Sequence, residues 1–307
     1  ALYFHVEEYK LPTFEVTFDK VTTAYAIGDT VTVTGRALSY NGMPVANSKV
    51  NYEIHKSYHG WLRGWTDYRF NEDLQYGETL TDSDGCFFIK VYLDTEPEME
   101  KLCWWKYHYE IQGNITSSVG ESQRAYTQLI LNSCPLNLDI SFNGKSLSNQ
   151  THILKEDAYP LTNRVTNQGG APINTQVHYQ IYQANELKEH AEMDHRYKKF
   201  CRQIHCGTFE SNQPLSLDFL CKLPSSCYKI VAQTALDGHK DSVQHTVYFT
   251  MYSKQETKVP IGAIDWFNWL ENEVAIGQPA RLQFGTQEKN VYVLMDVYSE
   301  LKRIESR

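Results

Sequence analysis

The stretch "RALSYNGMPVANSKVNYEI" (36–54) reads as a strand end, a turn that contains glycine, a proline and a second strand. In the second strand, Val50, Tyr52 and Ile54 alternate with polar residues, which is the period-two pattern of a strand with one buried face. Gly42 and Pro44 shape a tight reversal between the two strands. The stretch therefore predicts a hairpin that contributes one face to a core.

The same pattern recurs in "RVTNQGGAPINTQVHYQI" (164–181), where Pro172 matches Pro44 and Val-x-Tyr-x-Ile follows again with one residue of slip. A second echo links "IGDTVTVTG" (27–35) to "IGQPARLQFG" (276–285). A repeat of roughly 125 residues indicates tandem copies of one domain, each with its own core.

Strand patterns dominate the chain, and we predict an all-β fold of tandem seven-stranded antiparallel β-sandwiches, similar to fibronectin and immunoglobulin domains. Helical composition is limited to "ANELKEHAEMDHRYKKFCRQ" (184–203). The predicted domains are 1–132, a sandwich with an N-terminal connector; 133–254, a second sandwich; and 255–307, a linker with the truncated start of a third. The linker "KQETKVPIGAIDWFNWLENE" (254–273) precedes a third copy that begins near Val274.

Composition excludes some classes of function. Hydrophobic residues make up 41% of the 307, which suffices for real cores. A net charge of −8 argues against a nucleic-acid surface. No apolar stretch approaches the roughly 20 residues of a membrane helix, so we expect no membrane contact by this chain. The seven cysteines stand at irregular spacing, which is a poor disulfide framework. One or two disulfides are an open alternative among four of them: Cys201, Cys206, Cys221 and Cys227.

Four segments carry a resemblance to a known family, and one of them is "GRALSYNGMPVANSKVNYEI" (35–54), which contains the stretch quoted first. "VEEYKLPTFEV" (6–16) resembles the entry segment of a macroglobulin domain in the alpha-2-macroglobulin family. "TLTDSDGCFFIKV" (79–91) is similar to a strand pair of the same domain, and "FGTQEKNVYVLMDV" (284–297) to the opening of a later macroglobulin domain in bacterial members. The resemblance implies tandem macroglobulin-like sandwiches from a longer bacterial protein.

The resemblance also implies a function for that parent. Members trap proteases through a cleavable bait segment, and many carry an internal thioester in a Gly-Cys-Gly-Glu-Gln motif, which is absent from this sequence. We therefore expect scaffold domains of an exported protease inhibitor, periplasmic or associated with the cell envelope, with a lipid anchor as one option for the parent. Its partners would be proteases, met through the full-length parent, and the neighbouring macroglobulin domains.

An aromatic run offers the candidate partner-binding residues. In "YHGWLRGWTDYRF" (58–70), Trp61, Trp65, Tyr68 and Phe70 surround two glycines, so we expect a long loop rather than an alternating strand. Such a loop either stacks on a sugar ring or a partner protein, or folds onto its own sandwich. The first option gives the alternative function, a surface binding module for a carbohydrate or a protein. Trp266 and Trp269 are expected to pack between successive domains.

Catalytic and metal sites are not indicated. "TDSDG" (81–85) lacks the later ligands of a calcium loop and predicts a hairpin turn. His190, His195, Cys201, His205 and Cys206 offer zinc ligands at no standard spacing, and the alternative is a charged surface insertion. There is no Gly-x-Ser-x-Gly or His-Glu-x-x-His motif, so we expect neither an enzyme nor a cofactor.

Overall fold

The structure is a computed structural model. It describes residues 12–62, 66–95, 105–142, 145–146, 151–157, 160–184, 202–237, 242–257, 259–260, 266–270, 273–286, 288–299 and 301–306.

Seven strands form the first sandwich: β1 (Phe14–Phe18), β2 (Thr30–Ser39), β3 (Lys49–Leu62), β4 (Thr66–Leu80), β5 (Cys86–Tyr92), β6 (Trp105–Thr116) and β7 (Ser122–Asn132). One sheet has the order β1-β2-β5 and the other the order β4-β3-β6-β7, and every pairing is antiparallel. The predicted fold class and the number of strands in this sandwich are confirmed.

The core of the first sandwich follows from alternation along the strands. Val33 of β2, Phe87 and Ile89 of β5 and Ile111 of β6 are completely buried, while the residues between them face outward. The ring of Phe87 lies against the backbone of Gly35, where an added Cβ would be 2.0 Å from the ring. Only glycine therefore allows this close packing of a ring on strand β2.

The second sandwich has eight strands in the part of the chain that the structure describes: β8 (Leu136–Phe142), β9 (Lys145–Ser146), β10 (Thr151–Leu154), β11 (Leu161–Asn167), β12 (Gln176–Gln183), β13 (Arg202–Glu210), β14 (Ser226–Ala235) and β15 (Ser242–Tyr252). Its sheets have the orders β11-β8-β9 and β10-β15-β14-β12-β13. The block β13-β12-β14-β15 repeats the order of β4-β3-β6-β7.

This second copy departs from the predicted seven antiparallel strands in two places. Strand β10 adds to the edge of β15 in parallel. In the first sandwich β5 pairs along β2. In the second sandwich the strand that corresponds to β2 is β11, and at this place it has a single β-bridge, from Leu161 to Leu215, which the short 3-10 helix Asp218–Lys222 follows. Leu220 of that helix is buried in the core, so the helix closes the space that a strand closes in the first copy.

The repeated turns have the same backbone geometry. Gly42 has a φ of +84° and Gly170 a φ of +78°, a region that glycine adopts without strain. The N–H of Ser39 donates to the carbonyl of Met43 at 2.8 Å, and the N–H of Asn167 donates to the carbonyl of Ala171 at 2.8 Å. By this register Ser39 corresponds to Asn167, Tyr40 to Gln168, Met43 to Ala171 and Pro44 to Pro172.

Two further antiparallel pairs follow the second sandwich: β16 (Trp266–Trp269) with β17 (Leu282–Gly285), and β18 (Asp296–Ser299) with β19 (Lys302–Ser306). Strand β16 lies inside the segment that the sequence predicted to be a linker, so that prediction was wrong at this point. The reason is that β16 finds its partner 13 residues or more along the chain, in β17, which local sequence does not show.

The sequence similarity between residues 27–35 and 276–285 extends to the backbone conformation of the two turns. Gly28 and Gly277 have φ values of +86° and +85°. Each turn is closed by a backbone hydrogen bond, from Asp29 to Ala26 at 3.2 Å and from Gln278 to Ala275 at 2.9 Å.

The expected helix at 184–203 falls mostly outside the described residues, and its last two residues begin strand β13. Elsewhere, the described residues include no α-helix but two short 3-10 helices, Lys155–Asp157 and Asp218–Lys222. Over the same ranges, no helix has the length and apolar character needed to span a membrane.

Candidate functional site

Three of the candidate aromatic residues, Trp61, Tyr68 and Phe70, lie on a long hairpin. Strands β3 and β4 have 14 and 15 residues, and their register pairs Trp61 with Asp67, Gly60 with Tyr68 and Tyr58 with Phe70. The expectation of a loop was therefore wrong for the backbone of Trp61, Tyr68 and Phe70, because cross-strand pairing extends the ladder through an irregular sequence pattern. Trp65 and the side chains of the other three lie outside what the structure describes.

The best-defined polar constellation joins the two sandwiches. Asn167 lies at the start of the turn after β11 and is completely buried. Its Nδ2 donates to the carbonyls of Val21 and Thr23 in the first sandwich, at 3.0 and 2.9 Å, and its Oδ1 accepts from the N–H of Ala171 at 2.8 Å. One side chain thus closes its own turn and binds the neighbouring domain.

Gln168 binds the segment that connects the sandwiches. Its Oε1 accepts from the N–H of Asn132 at 2.7 Å, and its Nε2 donates to the carbonyl of Cys134 at 2.8 Å. Asn132 is the last residue of β7 and Cys134 lies between β7 and β8, so the Gln168 amide binds the point where the chain leaves the first sandwich.

Apolar contacts complete this joint. Ala24 of the first sandwich packs against the core of the second. Tyr25 is buried, its hydroxyl accepts from the N–H of Ile130 at 3.4 Å, and burial raises the pKa of that hydroxyl. The bonds of Asn167 and Gln168 are all between neutral groups, so we expect the joint to resist changes of salt and pH.

Asn167 and Gln168 were not among the residues that the sequence predicted to be functional. The available signal was a difference inside the repeat, because the first copy has Ser39 and Tyr40 at the same two positions. That difference marks where one copy meets a neighbour, but it does not identify the neighbour.

A second polar cluster closes one end of the first core. The Lys56 side chain is 3% exposed, and its Nζ lies 2.8 Å from Asp94 Oδ1 and 4.8 Å from the centroid of the Tyr107 ring. The Tyr109 hydroxyl donates to the Asp94 carbonyl at 2.7 Å. Burial raises the pKa of Asp94, but its hydrogen bonds with Lys56 and Tyr109 lower it by more, so the net pKa lies below the ordinary value.

The predicted turn at 81–85 is confirmed. Asp82 Oδ1 accepts from the N–H groups of Asp84 and Cys86 at 2.9 and 2.8 Å, and Gly85 has a φ of +76°. This carboxylate oxygen therefore organises the turn. The prediction of a hairpin was wrong, however, because β4 and β5 belong to different sheets.

The candidate zinc ligands are brought together only in part. His205 packs against the rings of Tyr179 and Phe219, whereas Cys206, the next residue on β13, is exposed. Adjacent residues of a strand point to opposite faces, so these two do not converge. His190, His195 and Cys201 lie outside the described residues, and among the described ones no group of three or more candidate ligands is found. Among the described cysteines, Cys206, Cys221 and Cys227 are not in disulfides, so a bridge between any two of these three is not formed.

The two tryptophans after the second sandwich differ. Trp266 is 4% exposed and packs with Leu154 and Tyr252 of the second sandwich and with Val259, as expected for a residue between successive elements. Trp269 is 46% exposed, so for this residue the expectation of packing was wrong. Alternation along β16 explains the difference, because Trp266 and Trp269 lie on opposite faces of the strand, and the Trp269 ring is in edge-on contact with the ring of Phe267.

Comparisons with known proteins give matches among solved structures alone. No protein-family model matches the chain, and no curated protein matches it. The native conformation of Escherichia coli alpha-2-macroglobulin is 11% identical, with 92% of this chain and 19% of that chain covered and a TM-score of 0.36. Salmonella alpha-2-macroglobulin reacted with methylamine is 11% identical, with 99% and 20% covered and a TM-score of 0.35. A tetra-tandem repeat in the extending region of a large adhesion protein is 12% identical, with 78% and 49% covered and a TM-score of 0.25.

The chain spans about a fifth of the length of the alpha-2-macroglobulins it matches. Likeness of this degree identifies no family, and the fold class stated above rests on the strands and sheets themselves.

Proposed function

We propose that this chain is a run of macroglobulin-like scaffold domains from an exported bacterial protein of the alpha-2-macroglobulin type, whose full length traps proteases at the cell envelope. The chain itself acts by holding domains in a fixed arrangement, without catalysis and without a cofactor. Its partners are proteases, through the parent, and the neighbouring domains.

The observation that carries this proposal is the joint at Asn167 and Gln168. A trap that responds to cleavage must transmit a local change through many domains, which requires joints that hold neighbours as one body. Two buried amides that bind four main-chain groups of the preceding sandwich and the connection meet this requirement. The sequence resemblance at 6–16, 79–91 and 284–297 supplies the type of parent.

A protease assay tests the proposal. The full-length protein, mixed at a one-to-one ratio with a serine protease, should block cleavage of a large protein substrate and spare a short chromogenic peptide, because a caged active site excludes only large molecules. The 307-residue chain should leave both activities unchanged. Tight inhibition by the 307-residue chain alone would point to binding at the protease active site, and a full-length protein that is inert toward every protease class would reject trapping.

One observation favours the alternative function, a binding module for a carbohydrate or a protein partner. Trp61, Tyr68 and Phe70 lie near the end of a hairpin whose two strands are the longest among the described residues. The double variant Trp61→Ala with Trp65→Ala would abolish a glycan-array signal if this function held, whereas Tyr126→Ala, an exposed aromatic on β7, would keep it. Absence of any signal from the unmodified chain would remove the glycan form of this alternative.

A further inference from the structure

The two repeated turns share their backbone but not their surroundings. In the second copy the turn is covered by the first sandwich, and Asn167, Gln168 and Ala171 are 0%, 6% and 2% exposed. In the first copy the corresponding turn is open, and Tyr40 and Met43 are each 63% exposed.

The side chain that closes the turn behaves alike in both copies. Ser39 Oγ accepts from the N–H of Met43 at 3.1 Å, as Asn167 Oδ1 accepts from the N–H of Ala171. Beyond this shared bond, Asn167 has an amide that reaches the preceding sandwich. The Ser39 side chain has no amide group. At this turn the first copy instead exposes the side chains of Tyr40 and Met43.

The position of the open turn relative to the chain entry is also the same. The N–H of Tyr40 donates to the carbonyl of Thr13 at 3.3 Å, immediately before β1. In the second copy, the Gln168 side chain donates to the carbonyl of Cys134, two residues before β8 begins. The turn therefore lies beside the incoming chain in both copies, where a preceding domain meets the next.

We propose that the turn Ser39–Pro44 is the docking surface for a further β-sandwich that precedes this one in the full-length chain, seated as the first sandwich is seated on the second. The proposed contact differs in chemistry from the joint at Asn167 and Gln168. Tyr40 and Met43 offer apolar surface where the second copy has buried amide hydrogen bonds, so the preceding domain should present an apolar patch to them. This holds whether or not the parent traps proteases.

Oxidative footprinting of the full-length protein and of the 307-residue chain tests the proposal. Hydroxyl radicals should modify Tyr40 and Met43 readily in the 307-residue chain and at least about fivefold more slowly in the full-length protein. Tyr76 and Tyr126, exposed on the outer face of the other sheet, should react equally in both, and the buried Met251 slowly in both.

Matched variants separate docking from folding. Met43→Glu should leave the melting temperature of the 307-residue chain unchanged, since the side chain is exposed, and should restore rapid modification of Tyr40 in the full-length protein. Tyr126→Glu should do neither. The proposal would be overturned by equal reactivity of Tyr40 and Met43 in both forms, or by a full-length protein with no folded domain before residue 1. It would also be overturned if Tyr40 and Met43 became protected only as the concentration of the 307-residue chain rises, because that result would assign the turn to a contact between copies.

Discussion

At the scale of single residues, Lys56 shows how a charged group is buried at the core of the first sandwich. Lys56 is buried, yet its ammonium lies on Asp94 and over the Tyr107 ring, so its charge is compensated. Asp94 is 46% exposed, which lets solvent share that compensation. The pair therefore contributes less than a fully buried one.

The pKa of Asp94 gives a test of this pair. Because the pKa is lowered in the folded protein, the stabilisation from Asp94 is present at neutral pH and is lost as pH falls through the folded-state pKa. Lys56→Met should raise the pKa of Asp94, measured by NMR titration of the carboxyl group, and should lower the free energy of unfolding at pH 7 by about 1–2 kcal/mol, since the pair is partly exposed.

The destabilisation by Lys56→Met should shrink as pH falls through the folded-state pKa of Asp94, because the carboxylate of the unmodified chain is then being protonated. Lys49→Met is the control, because Lys49 forms a pair with Glu78 in which both side chains are more than half exposed. It should leave the Asp94 titration unchanged. A destabilisation by Lys56→Met that is the same at pH 2 and pH 7 would show that packing, and not charge, explains the effect.

At the scale of elements, the last segment differs from the two sandwiches. The stretch "VYVLMDV" (291–297) has the apolar alternation of a strand, but only Asp296 and Val297 belong to one, β18. Tyr292 is 87% exposed and Leu294 64% exposed. Two-stranded ladders without a facing sheet are marginal in water, so this segment should open far more often than the cores.

Hydrogen exchange tests the difference in stability. Amides of 291–297 should exchange at least about 100-fold faster than those of 86–93, because local opening of weakly packed elements needs little free energy. Amides of 129–131, in the buried part of β7, serve as a second reference. If exposed edges pair between molecules, protection of 291–297 should rise with protein concentration. Protection equal to that of 86–93 at every concentration would show that this segment is already a complete unit.

At the scale of the whole molecule, the joint should make the two sandwiches unfold together. Asn167→Ala removes three hydrogen bonds, each with a net contribution of about 0.5–1.5 kcal/mol, so we expect a loss of about 2–4 kcal/mol in the free energy of unfolding. The control Asn41→Ala lies in the equivalent, exposed turn and should cost less than about 1 kcal/mol.

Hydrogen exchange across a urea series measures this coupling. In the unmodified chain the amides of β6 and β14 should lose protection at one urea concentration, and in Asn167→Ala at two. Coincident loss in the Asn167→Ala variant, or equal costs for Asn167→Ala and Asn41→Ala, would show that the joint does not couple the domains.

The sequence by itself determined the features that depend on short-range pattern. Alternation assigned β2, β5 and β12, glycine and proline placed the turns at 42–44 and 170–172, and the Asp82 turn followed from residues within four positions of one another. The repeat was visible because each copy encodes its own strands and turns locally. The predicted hairpin at 36–54 was wrong, because β2 and β3, like β11 and β12, lie in different sheets, and a pattern within the segment does not show which strands pair.

Only the tertiary structure decided the features that depend on distant partners. The role of Asn167 requires Val21 and Thr23, more than 140 residues away. The parallel strand β10, the extension of the β3–β4 hairpin, and the strand of Trp266 each exist because another segment supplies the backbone partner. Strand formation at such places is a property of the pair, so no pattern within one segment specifies it.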